Sequence, residues 1–245
     1  MAGRRHSMTA QISRQARRFS AAIVPQLTKI EPINSLLKTQ FVQIKLSDIK
    51  QYQSAVDKYI TKNSVWFDPV DFDIIDSSGR RIIQASLFPE GLSVREGKRK
   101  VYDISFSDED AATCIAKIKQ PVTGMSVFEL HEMGEIISIQ SNTDDLAGTR
   151  IEVNRATWLS ILFACGCAFT RQTWSVVKMD VIQAKISPIT SFNEENSVKV
   201  EWTVCCDNEI RMIALSFGLA IMIREAFPSL LHILKEFRSR QARKQ

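Results

Sequence analysis

The segment 212–223 constrains this chain more than any other. It holds twelve residues without a formal charge, bounded by Arg211 and Arg224. A helix that is apolar all round has to be buried. At 1.5 Å per residue it is about 18 Å long, against a hydrocarbon core of roughly 30 Å. No other stretch comes closer to a bilayer span, so 212–223 is expected as a buried core helix rather than a membrane anchor.

Enough apolar sequence surrounds it to build that core. Hydrophobic residues make up 44% of the 245 residues and charged ones 24%, while nine Gly and seven Pro leave little room for long linkers. Such a length allows one large domain or two small ones. The five cysteines (Cys114, Cys165, Cys167, Cys205, Cys206) are odd in number and lack a secretory pattern. They read as buried thiols of a reducing compartment. Paired zinc cysteines usually stand two to four residues apart. Cys165-x-Cys167 and Cys205-Cys206 read instead as core filling, and no metal is expected.

Hydrophobic periodicity then divides the chain. Phe41–Leu46 alternates with period two, as a half-buried strand does. Ser47 or Asp48 can cap a helix over 47–62, with Ile49, Tyr52, Val56, Tyr59 and Ile60 on one face. Val70–Ile75 and 81–87 flank Asp76-Ser77-Ser78-Gly79, a hairpin signal, and Phe88-Pro89-Glu90-Gly91 closes that unit. A strand is expected over 101–106, and acids 108–110 cap a short helix reaching Lys117. Strands follow over 126–130 and 135–140, then a polar loop over 141–148. Asn154 caps a second helix over 155–170, apolar on most faces and therefore expected to be central. Segments 175–186 and 197–206 read as a final antiparallel pair. Asp207 or Asn208 caps a helix over 209–227. Pro228 interrupts it, and a last helix over 229–240 carries Leu230, Ile233, Leu234 and Phe237 on one stripe. Trp158, Trp174 and Trp202 read as core, as do Trp66 and Phe67.

Strands grouped with helices and no regular βα alternation argue an α+β class. The expected architecture is a single, mostly antiparallel-sheet domain with two or three packed helices and basic, partly flexible termini. Three parts are expected: a basic arm or targeting segment over 1–37, an α+β core over 38–228, and an amphipathic basic helix and tail over 229–245.

Catalytic machinery is not legible. The three histidines are His6, His131 and His232. His131 has no second His at position 135, which is Glu135, so the HExxH pattern is absent. No nucleophile elbow, phosphate loop or dinucleotide fingerprint occurs. Asp71, Asp73 and Asp76 lack the glycine and glutamate spacing of a calcium loop and read as a strand-to-turn acid cluster. The expectation is a protein that is not an enzyme, with no cofactor and no catalytic residue.

Charge is more informative. The first 30 residues carry Arg4, Arg5, Arg14, Arg17, Arg18 and Lys29 without an acid. The last eleven carry Lys235, Arg238, Arg240, Arg243 and Lys244 against Glu236 alone, whereas the whole chain is only +5. Cationic ends attract phosphate-bearing surfaces, whether nucleic acid or anionic lipid. The expected anion-binding residues are Arg4, Arg5, Arg14, Arg17, Arg18, Arg238, Arg240, Arg243 and Lys244. Lys98, Arg99 and Lys100 form a secondary basic patch, and Leu230, Ile233, Leu234 and Phe237 a face for the domain, a partner or a membrane. The arm has a second reading. Arginine, serine and alanine enrichment, with Ile12, Ala16, Phe19 and Ile23 at helical spacing, fits a mitochondrial transit peptide.

The strand over 42–46, the helix over 48–62, the late strand over 198–204 and the run Ile213-Ala214-Leu215-Ser216-Phe217-Gly218-Leu219 together resemble the matrix proteins of negative-strand RNA viruses, above all those of plant rhabdoviruses. The resemblance spans about a quarter of the chain. It departs from such proteins in having neither Pro-Pro-x-Tyr nor Pro-[Ser/Thr]-Ala-Pro. It implies a viral structural protein that condenses ribonucleoprotein, associates peripherally with an anionic membrane and forms homo-oligomers, in the virion and in host cytoplasm or nucleus. The alternative is a mitochondrial protein with a cleaved N-terminus and a scaffold or lipid-binding role. A third is an enzyme or small-ligand carrier with a pocket lined by helix 155–170.

Overall fold

A computed structural model describes residues 30–106, 114–141, 146–190 and 196–243. Strands outnumber helices among the described residues. Twelve strands follow one another: β1 (Phe41–Leu46), β2 (Val70–Ile75), β3 (Arg81–Phe88), β4 (Gly91–Glu96), β5 (Arg99–Phe106), β6 (Cys114–Lys119), β7 (Ser126–Met133), β8 (Ile136–Ser141), β9 (Thr149–Arg155), β10 (Gln172–Lys178), β11 (Val181–Ile189) and β12 (Ser197–Trp202). Each pairs antiparallel with its sequence neighbours, and β12 returns to β1, with Val42 opposite Val200 and Ile44 opposite Val198. The result is a closed up-and-down barrel. The expected sheet domain with two or three packed helices is thereby corrected: the helices number five among the described residues, and the sheet has no edge.

Period two explains the wall. In β2, Val70, Phe72 and Ile74 are fully buried while Asp71, Asp73 and Ile75 are half-buried. A barrel of about eight strands can be filled by its own side chains. Twelve strands leave a wider lumen, and the charge-free segment fills it. Helix α4 (Asn208–Ile221) is buried at every position from Ile210 to Ile221. Its neighbours lie on opposite walls: a Cβ on Gly218 would stand 2.8 Å from Ile44 on β1 and 3.1 Å from Val200 on β12, the Phe217 ring meets Trp174 on β10 at 5.7 Å, and Ser216 faces Tyr102 on β5. Helix α4 is therefore a plug inside the barrel, and the expected core helix stands. It continues as one wider, π-helical turn over Met222–Ala226 before Pro228.

The other helices sit at the two ends. Short α1 (Asn34–Leu37) carries Leu36, buried like the preceding Ile33. The Leu36 carbonyl accepts from Nη1 of buried Arg211 at 2.5 Å, and Arg211 Nε donates to the Cys206 carbonyl at 3.2 Å. The folded body thus begins before residue 38, and residues 30–37 belong to it rather than to the arm. At the opposite end, α2 (Ile49–Lys62) is capped by Asp48, whose side chain accepts from the Lys50 amide at 2.8 Å. It meets α5 (Pro228–Ala242) through Tyr59, whose hydroxyl is 3.0 Å from His232 Nε2.

Several local expectations fail for identifiable reasons. Segment 175–186 is two strands joined at Met179 and Asp180, both with positive φ (51° and 63°). That hairpin turn normally announces itself through Asn or Gly. Residues 114–117 belong to strand β6, not to a helix; the acids at 108–110 lie outside the described residues. The sequence pattern announces neither β4 nor β9. The acid cluster is spent locally: Asp71 accepts from Ser86 Oγ at 2.6 Å, Asp73 pairs with Arg81, and Asp76 accepts from the Ser78 and Arg80 amides. Hydrogen bonding, chiefly from the Ser78 hydroxyl, holds the Asp76 carboxyl at about 2.

Candidate anionic-surface site

The largest departure from expectation is also the best lead to function. The apolar segment after β9 forms only a two-turn helix, α3 (Thr157–Ala164), and it lies on the surface. Asn154 does not cap it: its side chain donates to Ser175 Oγ on β10 at 3.1 Å, and Ala156 occupies the cap position. Within α3 only Leu159 is buried, whereas Trp158 is 53% exposed, Ile161 63% and Phe163 37%. Trp158 is thus not core, and helix 155–170 is neither central nor continuous. Helix α3 stands on the rim where β9 ends and β10 begins. The β7–β8 turn shares that rim, because the Glu135 carbonyl accepts from the Val153 amide at 3.0 Å. This turn adds Met133 and Ile136, exposed at 66% and 44%. Two arginines bracket the apolar tip. Arg171 lies 4.6 Å above the Phe163 ring, and the Arg155 side chain is 77% exposed, at the limit of an ion pair with Glu135 (3.9 Å).

A second feature lies on the barrel wall. The outer faces of β4, β5 and β6 form a cleft of about 410 Å³, lined among others by Arg95, Lys100, Lys119, Asp103 and Ser93. Lys100 is paired with Asp103 at 2.7 Å. Arg95 and Lys119 have no ion-pair partner among the described residues. The Ser93 hydroxyl is buried without a hydrogen-bond partner. Gly91 opens one end of the cleft: its φ is 153°, and a Cβ there would stand 2.6 Å from the Ile104 carbonyl oxygen.

The basic residues singled out from the sequence divide sharply. Arg4, Arg5, Arg14, Arg17, Arg18 and Lys244 lie outside the described residues. Arg240 is committed internally, donating to Glu236 at 2.8 Å and to the Asn63 carbonyl at 2.8 Å. Arg238 is engaged within the fold, and Arg243 is exposed at the end of α5. In the secondary patch, Arg99 is held by Glu31 at 2.7 Å and Glu96 at 2.6 Å, while Lys98 is exposed on the β4–β5 turn. Only Lys100 enters the cleft. Leu230, Ile233, Leu234 and Phe237 are buried to 3% exposure or less, so the stripe is occupied by the fold and is not a free partner or membrane face. Trp66 is 60% exposed, although its ring meets Phe237 edge-on at 4.9 Å. Of the cysteines, Cys114 and Cys206 are buried, whereas Cys165 and Cys205 are exposed. The exposed pair corrects the expectation of core filling. Burial pushes the Cys206 thiol up to about 11.

No helix among the described residues is long and apolar enough to cross a membrane. No protein-family model, curated protein or solved structure matches this chain.

Proposed function

We propose that this protein is a non-enzymatic, matrix-like assembly protein that docks peripherally on an anionic membrane surface. The exposed tip of α3 carries the reading. Tryptophan and aliphatic side chains displayed together on a surface, beside arginines, fit the boundary between lipid headgroups and acyl chains. Nucleic acid would be served by the cationic arm as well, but it gives no use to Ile161, Met133 and Ile136. The arm residues 4–18 add long-range attraction that salt screens, and Arg95, Lys119 and Ser93 offer a phosphate group a partly desolvated seat. The lumen is filled by α4, which disfavours a carrier that holds its ligand inside the barrel. Self-association belongs to the same proposal. Strand addition is closed to a barrel without edges, so copies would meet through helices and rims.

Vesicle co-sedimentation of the full chain tests the proposal. Binding to vesicles containing phosphatidylserine should exceed binding to phosphatidylcholine vesicles. The double substitution Trp158→Ser/Ile161→Ser should weaken it by about ten-fold or more, given roughly 0.8 kcal/mol per buried methylene. Removing residues 1–20 should flatten the salt dependence instead. Equal binding by the double variant would remove the membrane reading, and retained RNA binding would then favour ribonucleoprotein.

A further inference from the structure

Cys114, Glu129 and His131 lie on the barrel wall, and neither the α3 tip nor the cleft uses them. They come from two neighbouring strands. In β7, Phe128 and Leu130 point into the core, so Glu129 and His131 lie on the outer face. In β6, Ala116 and Ile118 are fully buried, and strict alternation would turn Cys114 inward with them. It does not turn inward, because a β-bulge intervenes: Cys114 is opposite His131, but Ala116 is opposite Leu130. The extra residue, Ile115, resets the register and brings the cysteine beside the outward histidine. Bulges often re-aim a side chain in this way.

We infer that Cys114, Glu129 and His131 form a zinc-binding site, with water as the fourth ligand. One potential donor atom from each lies within 4.8 Å of the other two. For nitrogen and oxygen ligands at about 2.0–2.1 Å from a tetrahedral ion, the N···O edge is about 3.3 Å. His131 Nε2 and Glu129 Oε2 are 3.3 Å apart. A sulfur–nitrogen edge is about 3.6 Å, so the thiolate has to close by about 1 Å at most, within the reach of a small rotation about its Cα–Cβ bond. The donor set of one thiolate, one imidazole and one carboxylate suits zinc and excludes a hard-ion site for magnesium or calcium. Cys114 is buried, whereas the His131 and Glu129 side chains are 17% and 24% exposed, so solvent reaches the open position from their side. Lys117 competes with the metal: its ammonium is 3.3 Å from Glu129 Oε1, and Lys117 and Glu129 are cross-strand partners.

The test uses the full chain with Cys165, Cys167 and Cys205 replaced by Ser, so that the exposed and half-buried thiols cannot contribute. Cobalt(II) titration should give one equivalent of a thiolate-to-cobalt charge-transfer band with tetrahedral visible bands, displaced by zinc. Cys114→Ser should abolish the charge-transfer band. His131→Ala and Glu129→Gln should each weaken zinc binding by at least about ten-fold, while circular dichroism confirms that the barrel is intact. Lys117→Met should tighten zinc binding several-fold by releasing Glu129, an effect that a merely structural ion pair would not produce. No charge-transfer band in the parent, a band that survives Cys114→Ser, or zinc affinity unmoved by Lys117→Met would each overturn the assignment.

Discussion

Tyr102 carries its hydroxyl into the most apolar part of the molecule. The ring is fully buried on β5, and its oxygen faces Ser216 on the plug with neither hydroxyl in full hydrogen-bonding geometry. Burial holds the phenol well above its ordinary 10.0. The neutral form is therefore favoured in the folded state, while the unfolded chain ionises near the ordinary value. Stability from this site is present below about pH 10 and is lost as pH rises above it. Tyr102→Phe removes a buried oxygen that gains little from its surroundings. It should leave the unfolding free energy unchanged or raise it by about 1 kcal/mol, and it should blunt the alkaline loss. Urea titrations at pH 8 and pH 10.5 measure both effects, and a loss above about 2 kcal/mol at pH 8 would show that the hydroxyl is a structural partner. Alternation of Tyr102, Ile104 and Phe106 with Asp103 and Ser105 places the ring on an inner face, but its partner Ser216 is not legible, because the contact spans residues far apart in the chain.

Helix α4 lies tight against the wall at Gly218. The approach of β1 and β12 leaves no room for a side chain there, although the glycine's own backbone is helical. Gly218→Val should destabilise the protein by about 2–3 kcal/mol through overpacking, read as a lower midpoint in thermal or denaturant unfolding. A neutral result would mean that the plug can shift within the lumen. The helix itself was legible, since a charge-free run too short for a bilayer leaves few alternatives. Its surroundings were not. Strand β4 is short and begins at Gly91, so only Leu92 and Val94 mark its inner face. Strand β9 leads straight into α3, and an apolar helix following a good cap residue reads as core. Apolarity states that a segment avoids water but not what replaces the water, and α3 shows the difference. The proposed zinc site was equally hidden: Glu129 and His131 stand 15 and 17 residues after Cys114, and a one-residue bulge decides whether the thiol faces in or out.

At the scale of the molecule, a barrel of this width depends on its filling. The strands bury Phe72, Tyr102 and Trp174 toward the lumen, and the plug packs against several walls at once. A chain ending at Cys206 keeps all twelve strands but loses α4 and α5. Protein interiors are close-packed, and a void of that size cannot be absorbed by small rearrangements. The truncated chain should show no cooperative calorimetric transition and should bind a hydrophobic dye, whereas the full chain unfolds cooperatively. A cooperative transition in the truncated chain would mean that the wall is self-sufficient. Closure was the least legible property in the sequence, because the β1–β12 ladder joins Gln43 to Lys199 and no local pattern encodes that pairing.

Because α4 follows β12 in chain order, a ribosome delivers every stave before the piece that fills the cask. The strands emerge with their inner faces uncovered, and their first and last members meet only after most of the chain has been made. Pairings that distant form slowly and leave apolar surface open to other molecules meanwhile. Synthesis of this protein thus has a vulnerable interval that ends only when residues 208–221 have left the exit tunnel and entered the lumen.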